Sequence, residues 1–127
     1  MKVKMNATHG LFRLILEPDE LDILEPNEKV SLGSKMVEIN FPWQFDPDTI
    51  HPDHLALCIM MITHPFVGKV LTFPKPVSQR FSDFHHSKST RYTIGPVDET
   101  LEPWSPSENS RPGLAFSGGV DSTAALA

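Results

Sequence analysis

The chain has 127 residues, 39% hydrophobic and 21% charged, a balance that excludes an intrinsically disordered protein and suffices for one domain with its own core. Its net charge of −5 excludes a nucleic-acid or anionic-membrane partner held by overall attraction, although a tRNA held by a local basic patch stays compatible. Twelve prolines interrupt the chain too often for a bundle of long helices and point to short strands and helices together.

The first stretch, MKVKMNATHGLFRLILE, carries two lysines, but its apolar run is short and broken by Arg13, which does not fit an export signal. Within it GLFRLILE (10–17) alternates as a strand and ends at Pro18-Asp19. ILEP at 23–26 echoes the end of that run and reads as a similar strand end. KVSLGSKMVEINF (29–41) predicts a hairpin with its two-residue turn at Gly33-Ser34. Pro42, Pro47 and Pro52 then mark a loop.

DHLALCIMMITH (53–64) is apolar nearly all round and predicts a buried helix, with Asp53 as its N-cap and Cys58 packed inside. Cys58 is the sole cysteine, so no disulfide forms within the chain, which fits a cytoplasmic protein. KVLTF (69–73) is a strand candidate. VSQRFSDFHH (77–86) places Val77, Phe81 and Phe84 on one helical face, and TRYTIG (90–95) is a further short strand. PVDETLEPWSPSENSRPG (96–113) holds four prolines and little periodicity, as expected of a connection between two units. The fold class expected is α/β: a mixed α+β module over 1–112, then the first strand, loop and helix of a second unit over 113–127.

Charge is uneven along the chain. Acids crowd residues 17 to 53, whereas Lys69, Lys75, Arg80, Lys88 and Arg91 face Asp83 alone between 69 and 91. Two readings stand: solvated faces, or a basic rim in which Arg80, Lys88 and Arg91 meet a phosphate-bearing substrate. His51 and His54, and the adjacent His85 and His86, lack the third ligand and shared face that a metal site requires. The acid pairs Asp19-Glu20 and Asp98-Glu99 sit in turn-like contexts.

The last fourteen residues, LAFSGGVDSTAALA, carry the clearest chemistry. A strand from LAF followed by a helix from VDSTAALA would leave unpaired backbone N–H groups and partial positive charge at the helix start, where an anion binds. Gly118 and Gly119 remove side chains from a phosphate's path and permit a concave nest of amides. Ser117, Ser122 and Thr123 offer hydroxyl donors, and Asp121 suits a Mg²⁺ ion accompanying the phosphates. The Walker A loop, the dinucleotide fingerprint and the esterase elbow all fail to match.

Ser117, Gly118, Gly119, Asp121 and Ser122 match every specified position of S-G-G-x-D-S, so the stretch resembles the pyrophosphate loop of the PP-loop ATP pyrophosphatase superfamily. That superfamily includes GMP synthetase, NAD synthetase, asparagine synthetase, argininosuccinate synthetase, tRNA-thiolation enzymes and 7-cyano-7-deazaguanine synthase. The resemblance covers 114–127 only. It implies a Rossmann-like parallel sheet, ATP and Mg²⁺ as ligands, and an adenylating reaction that cleaves ATP to AMP and pyrophosphate before an amine, ammonia or sulfur nucleophile displaces AMP. It implies that Ser117, Gly118, Gly119, Ser122 and Thr123 hold the phosphates, with Asp121 near the metal. Such a sheet needs further strands, so the chain is expected to be the N-terminal part of a larger ligase or synthase, inactive by itself, whose first 112 residues present substrate, pack on the sheet or mediate homo-oligomerisation. The alternative is a non-catalytic α+β interaction module whose terminal stretch is a simple helix start.

Overall fold

A computed structural model describes residues 1–8, 10–40, 46–88, 91–106 and 108–109. Five strands form one mixed sheet, built from β1 (Lys2–Thr8), β2 (Leu11–Glu17), β3 (Met36–Asn40), β4 (Val70–Ser78) and β5 (Thr93–Asp98) in the spatial order β3-β2-β1-β4-β5. Helix α1 (Pro52–Thr63) lies between β3 and β4 in the chain, and α2 (Gln79–Lys88) joins β4 to β5. The mixed α+β architecture expected from the proline spacing is what forms. No helix among the described residues is long and apolar enough to cross a membrane.

The alternation of β1 explains the sheet's two faces. Val3, Met5 and Ala7 stand opposite Leu16, Leu14 and Phe12 in antiparallel register, and this face builds the core with Leu71 and Phe73 of β4 and Ile94 of β5. The other face carries Lys2, Lys4, Asn6 and Thr8, and on it Lys4 pairs with Glu17 and Arg13 with Glu38. Only the first face is covered by helices, since period-two alternation leaves the second polar. β1, β4 and β5 run parallel, so α2 closes a strand–helix–strand unit, and α1 and α2 border a common groove.

β1 is a strand that the sequence expectation did not include, although K-V-K-M-N-A-T alternates through seven residues. Met1 precedes it with a buried α-ammonium that meets Asp22 at 3.0 Å, Asp19 at 3.2 Å and the Val70 carbonyl at 2.6 Å. Asp22 also accepts from Gly68 N at 2.8 Å, which pins the loop after β2 onto the turn before β4.

Two strand expectations are corrected. ILEP at 23–26 forms no strand: Ile23 N donates to Phe66 O at 2.8 Å and Leu24 O accepts from Leu32 N, so the segment follows the α1–β4 turn. Residues 29–41 do not fold on themselves as a hairpin, because only 36–40 becomes a strand and its partner is β2. That register sets Val37 opposite Leu14 and Ile39 opposite Phe12, whereas Val30 and Leu32 pack on the core from a loop in which Leu32 N donates to Leu24 O.

The helices also depart from expectation. His51, not Asp53, caps α1: its Nδ1 accepts from Asp53 N at 3.2 Å, and Pro52 occupies the first helical turn. Leu55, Ala56 and Ile59 are buried, but Leu57, Cys58 and Met61 are exposed, Leu57 at the open groove between α1 and α2. The apolar face expected of Val77, Phe81 and Phe84 is not kept: Val77 is buried in β4, Phe81 is partly buried on α2, and Phe84 is not. Helix α2 buries Ser82 and His85 while Phe84 is 64% exposed, since Ser78 ends β4 and sets the phase in which the helix meets the sheet.

Two measurements test this packing. A Cβ at position 68 would collide with the Leu21 carbonyl, whereas one at position 33 meets nothing within 4 Å. Gly68→Ala is therefore expected to lower the unfolding free energy in urea by about 3 kcal/mol, with Gly33→Ala nearly neutral. Burial, with His86 and His64 as charged neighbours, holds the His85 imidazole below its ordinary 6.5. The unfolded chain then gains a proton at about pH 6.5 that the folded chain takes up only at lower pH. Stability is expected to be full above that value and to fall as pH drops through the window beneath it. His85→Leu should flatten this slope in urea midpoints measured from about pH 7.5 down to about pH 5.

Candidate functional site

The residues that the sequence marks for nucleotide binding, Ser117, Gly118, Gly119, Asp121, Ser122 and Thr123, lie outside the described residues, as does the LAF strand candidate. The described module has a cleft of its own. It forms where β4 ends and both helices begin, the end of a parallel α/β arrangement at which ligand sites gather.

The cleft is anchored by two buried polar residues. Ser78, the last residue of β4, donates from its backbone N to Asp53 Oδ1 at 2.8 Å and from its hydroxyl to Asp53 Oδ2 at 2.7 Å. Its Oγ in turn accepts from Phe81 N at 3.2 Å, which makes Ser78 the N-cap of α2. Asp53 is 8% exposed and Ser78 wholly buried, so these charge-assisted bonds act away from water. The first turns of α1 and α2 are thus held together by one carboxylate.

His51 Nδ1 lies 3.8 Å from Asp53 Oδ2, and its Nε2 lies 2.9 Å from the Glu102 carbonyl. The order Ser78–Asp53–His51 resembles a hydrolytic triad in composition only. In a triad the serine hydroxyl donates to an imidazole that takes its proton; here it donates to the carboxylate. Ser78 is a cap and not a nucleophile.

Above this floor the cleft is walled by Leu57, Phe81, Phe84 and Trp104, with His54 and Arg80 at its rim, and encloses about 350 Å³. The His54 and Trp104 rings pack at 4.4 Å between centroids, which brings the proline-rich segment after β5 against α1. Arg80 makes no ion pair among the described residues. Aromatic walls with one unpaired guanidinium suit a planar ligand with an anionic edge, because the guanidinium both stacks and pairs. Among the described residues no group of three or more His, Cys, Asp or Glu side chains gathers to hold a metal.

The proposed rim of Arg80, Lys88 and Arg91 is not one surface. Arg80 stands in the first turn of α2 and Lys88 in its last, about 12 Å apart along a helix rising 1.5 Å per residue. Arg91 lies beyond that far end and donates to the Pro65 carbonyl at 2.8 Å. Only Arg80 faces the cleft. Sequence reasoning missed Asp53 as a cross-link and Trp104 as a wall; a tryptophan within an otherwise polar, proline-rich stretch was the available signal.

Asp53→Ala would leave the buried Ser78 N–H and hydroxyl without their acceptor, and each bond to a charged group contributes about 1.5–3 kcal/mol. A loss of about 3 kcal/mol or more in urea unfolding is expected, against about 1.5–3 kcal/mol for Ser78→Gly, which keeps the Ser78 N–H bond and loses the hydroxyl's bond to the carboxylate.

No protein-family model, curated protein or solved structure matches the chain, so the functional reading rests on its own residues.

Proposed function

We propose that the protein is an ATP-binding protein of the PP-loop type, with residues 1–112 as the N-terminal module of an adenylating ligase or synthase that releases pyrophosphate from ATP. The observation that carries this reading is the run Ser117-Gly118-Gly119-Val120-Asp121-Ser122 behind the apolar LAF. Its donor set is coherent. Glycines admit the phosphates to backbone amides, hydroxyls add donors, and the single carboxylate is suited to Mg²⁺ and not to phosphate. Such a loop works by positioning and by charge stabilisation, and it transfers no proton itself.

In this reading the module presents the second substrate. Support comes from the aromatic cleft with Arg80 at its rim, walled in part by Trp104 of the segment that leads in sequence toward the loop.

The test uses protein expressed from its complete gene, with Mg-ATP titrated by calorimetry and pyrophosphate release measured alongside. Ser122→Ala removes one hydrogen bond to a charged group and should weaken ATP binding roughly ten- to hundredfold. Gly119→Val should abolish binding by obstructing the phosphate, and Asp121→Asn should slow pyrophosphate release more than it weakens ATP binding. Gene-length protein that neither binds ATP nor responds to Gly119→Val would make the loop an ordinary helix start and the chain an interaction module.

A further inference from the structure

The cleft does not end at Phe84. It runs on between α1 and α2 into a second hollow of about 180 Å³ and then over a shelf formed by Met61 and Pro65, with Leu57 lining every part. The outcome is one trough between Leu57 and Met60 of α1 and Phe81 and Phe84 of α2, with Trp104 at one end and Met61 at the other. Met61 is 77% exposed, Leu57 51% and Trp104 47%, so this apolar surface is open to solvent along its length. Contiguous apolar surface of this kind on a water-soluble domain marks a place that another molecule covers.

Charge narrows what that molecule is. The chain carries a net charge of −5, yet the trough is bordered by cations. Arg80 stands at its Trp104 end and Lys88 toward the far end, and neither has an ion pair among the described residues. The one acid in each helix is committed elsewhere: Asp53 holds Ser78, and Asp83 accepts from Gln79 Nε2 at 2.7 Å. Arg80 and Lys88 are about 12 Å apart along α2, close to two turns of a helix. A helix laid along the trough can therefore set carboxylates two turns apart against both cations, with the apolar side chains between them seated over Leu57 and Phe84. Met60 and Met61, unbranched and adaptable, accept anchors of varied shape.

Two other occupants fit less well. A second copy docked trough to trough would bring Arg80 and Lys88 against the same cations of its partner. A bilayer surface takes up apolar groups that project from a protein, whereas Met60 and Phe81 are half-buried in a recess. We propose that the α1–α2 trough docks an acidic amphipathic helix of about three turns from a partner protein, its apolar face inward and its carboxylates on Arg80 and Lys88. The docking uses no residue of the 117–123 loop and does not rest on the nucleotide reading; for a ligase or synthase it makes the second substrate part of a protein.

The probe is a fluorescein-labelled helical peptide of about 14 residues, with leucine and phenylalanine anchors and two glutamates on one flank two turns apart; its control carries glutamines in their place. Both are titrated by fluorescence anisotropy, without nucleotide and in about 50 mM salt, against protein expressed from its complete gene. The glutamate peptide should saturate with a Kd of about 10–100 μM, and the glutamine peptide should bind about threefold or more weakly. Arg80→Gln and Lys88→Gln should each weaken the glutamate peptide about two- to fivefold and leave the glutamine peptide unmoved, a difference that misfolding cannot produce. Leu57→Asp, a change at an exposed residue, should abolish binding of both peptides at an unchanged urea midpoint. Equal affinity for the two peptides, or no saturation at about 500 μM protein, would overturn the proposal. So would self-association of the protein, or its binding to phosphatidylserine vesicles, if Leu57→Asp abolished either one.

Discussion

The pairing of Asp53 with Ser78 is the constraint on which the rest of the described structure depends. A single carboxylate, nearly out of water, receives both the backbone N–H and the hydroxyl of the residue that ends β4. Because Ser78 also caps α2, the same contact sets where the strand stops, where the second helix starts and how its first turn lies against that of α1. The cleft is a consequence: two helices held together at their N-termini over a one-sided sheet leave a groove between them.

The phase of α2 follows from that anchor and has a cost. Starting the helix at Ser78 turns Ser82 and His85 inward and leaves Phe84 largely in solvent, against the ordinary sorting of polar and apolar side chains. A polar core position of this sort departs from what packing alone would select, and such departures concentrate where a fold serves a ligand. Both hollows of the α1–α2 groove owe their aromatic walls to it, since Phe81 and Phe84 line each of them.

Electrostatics at the opposite end of the module is organised differently. There Asp22 joins the Met1 ammonium to Gly68 N, and Asp19 gains bonds from Leu21 N and the same ammonium that hold its carboxyl below the usual range. Charge at that end ties loops together, while at the cleft end Arg80 has no acidic partner among the described residues. An unpaired guanidinium beside aromatic walls therefore distinguishes the cleft from the rest of the described surface.

Local pattern by itself determined much of this protein. Alternation in GLFRLILE predicted β2, the apolar run after Pro52 predicted α1, and KVLTF and TRYTIG predicted parts of β4 and β5. These signals are legible because each depends on neighbours within a few residues. Partnership was decided elsewhere. That 36–40 pairs with β2 instead of folding back on 29–35, that Asp53 binds a serine twenty-five residues away instead of capping its own helix, and that α2 shows Phe84 to solvent are long-range outcomes. Each turns on which surfaces a one-sided sheet leaves to be covered, and that choice exists only once the strands have assembled.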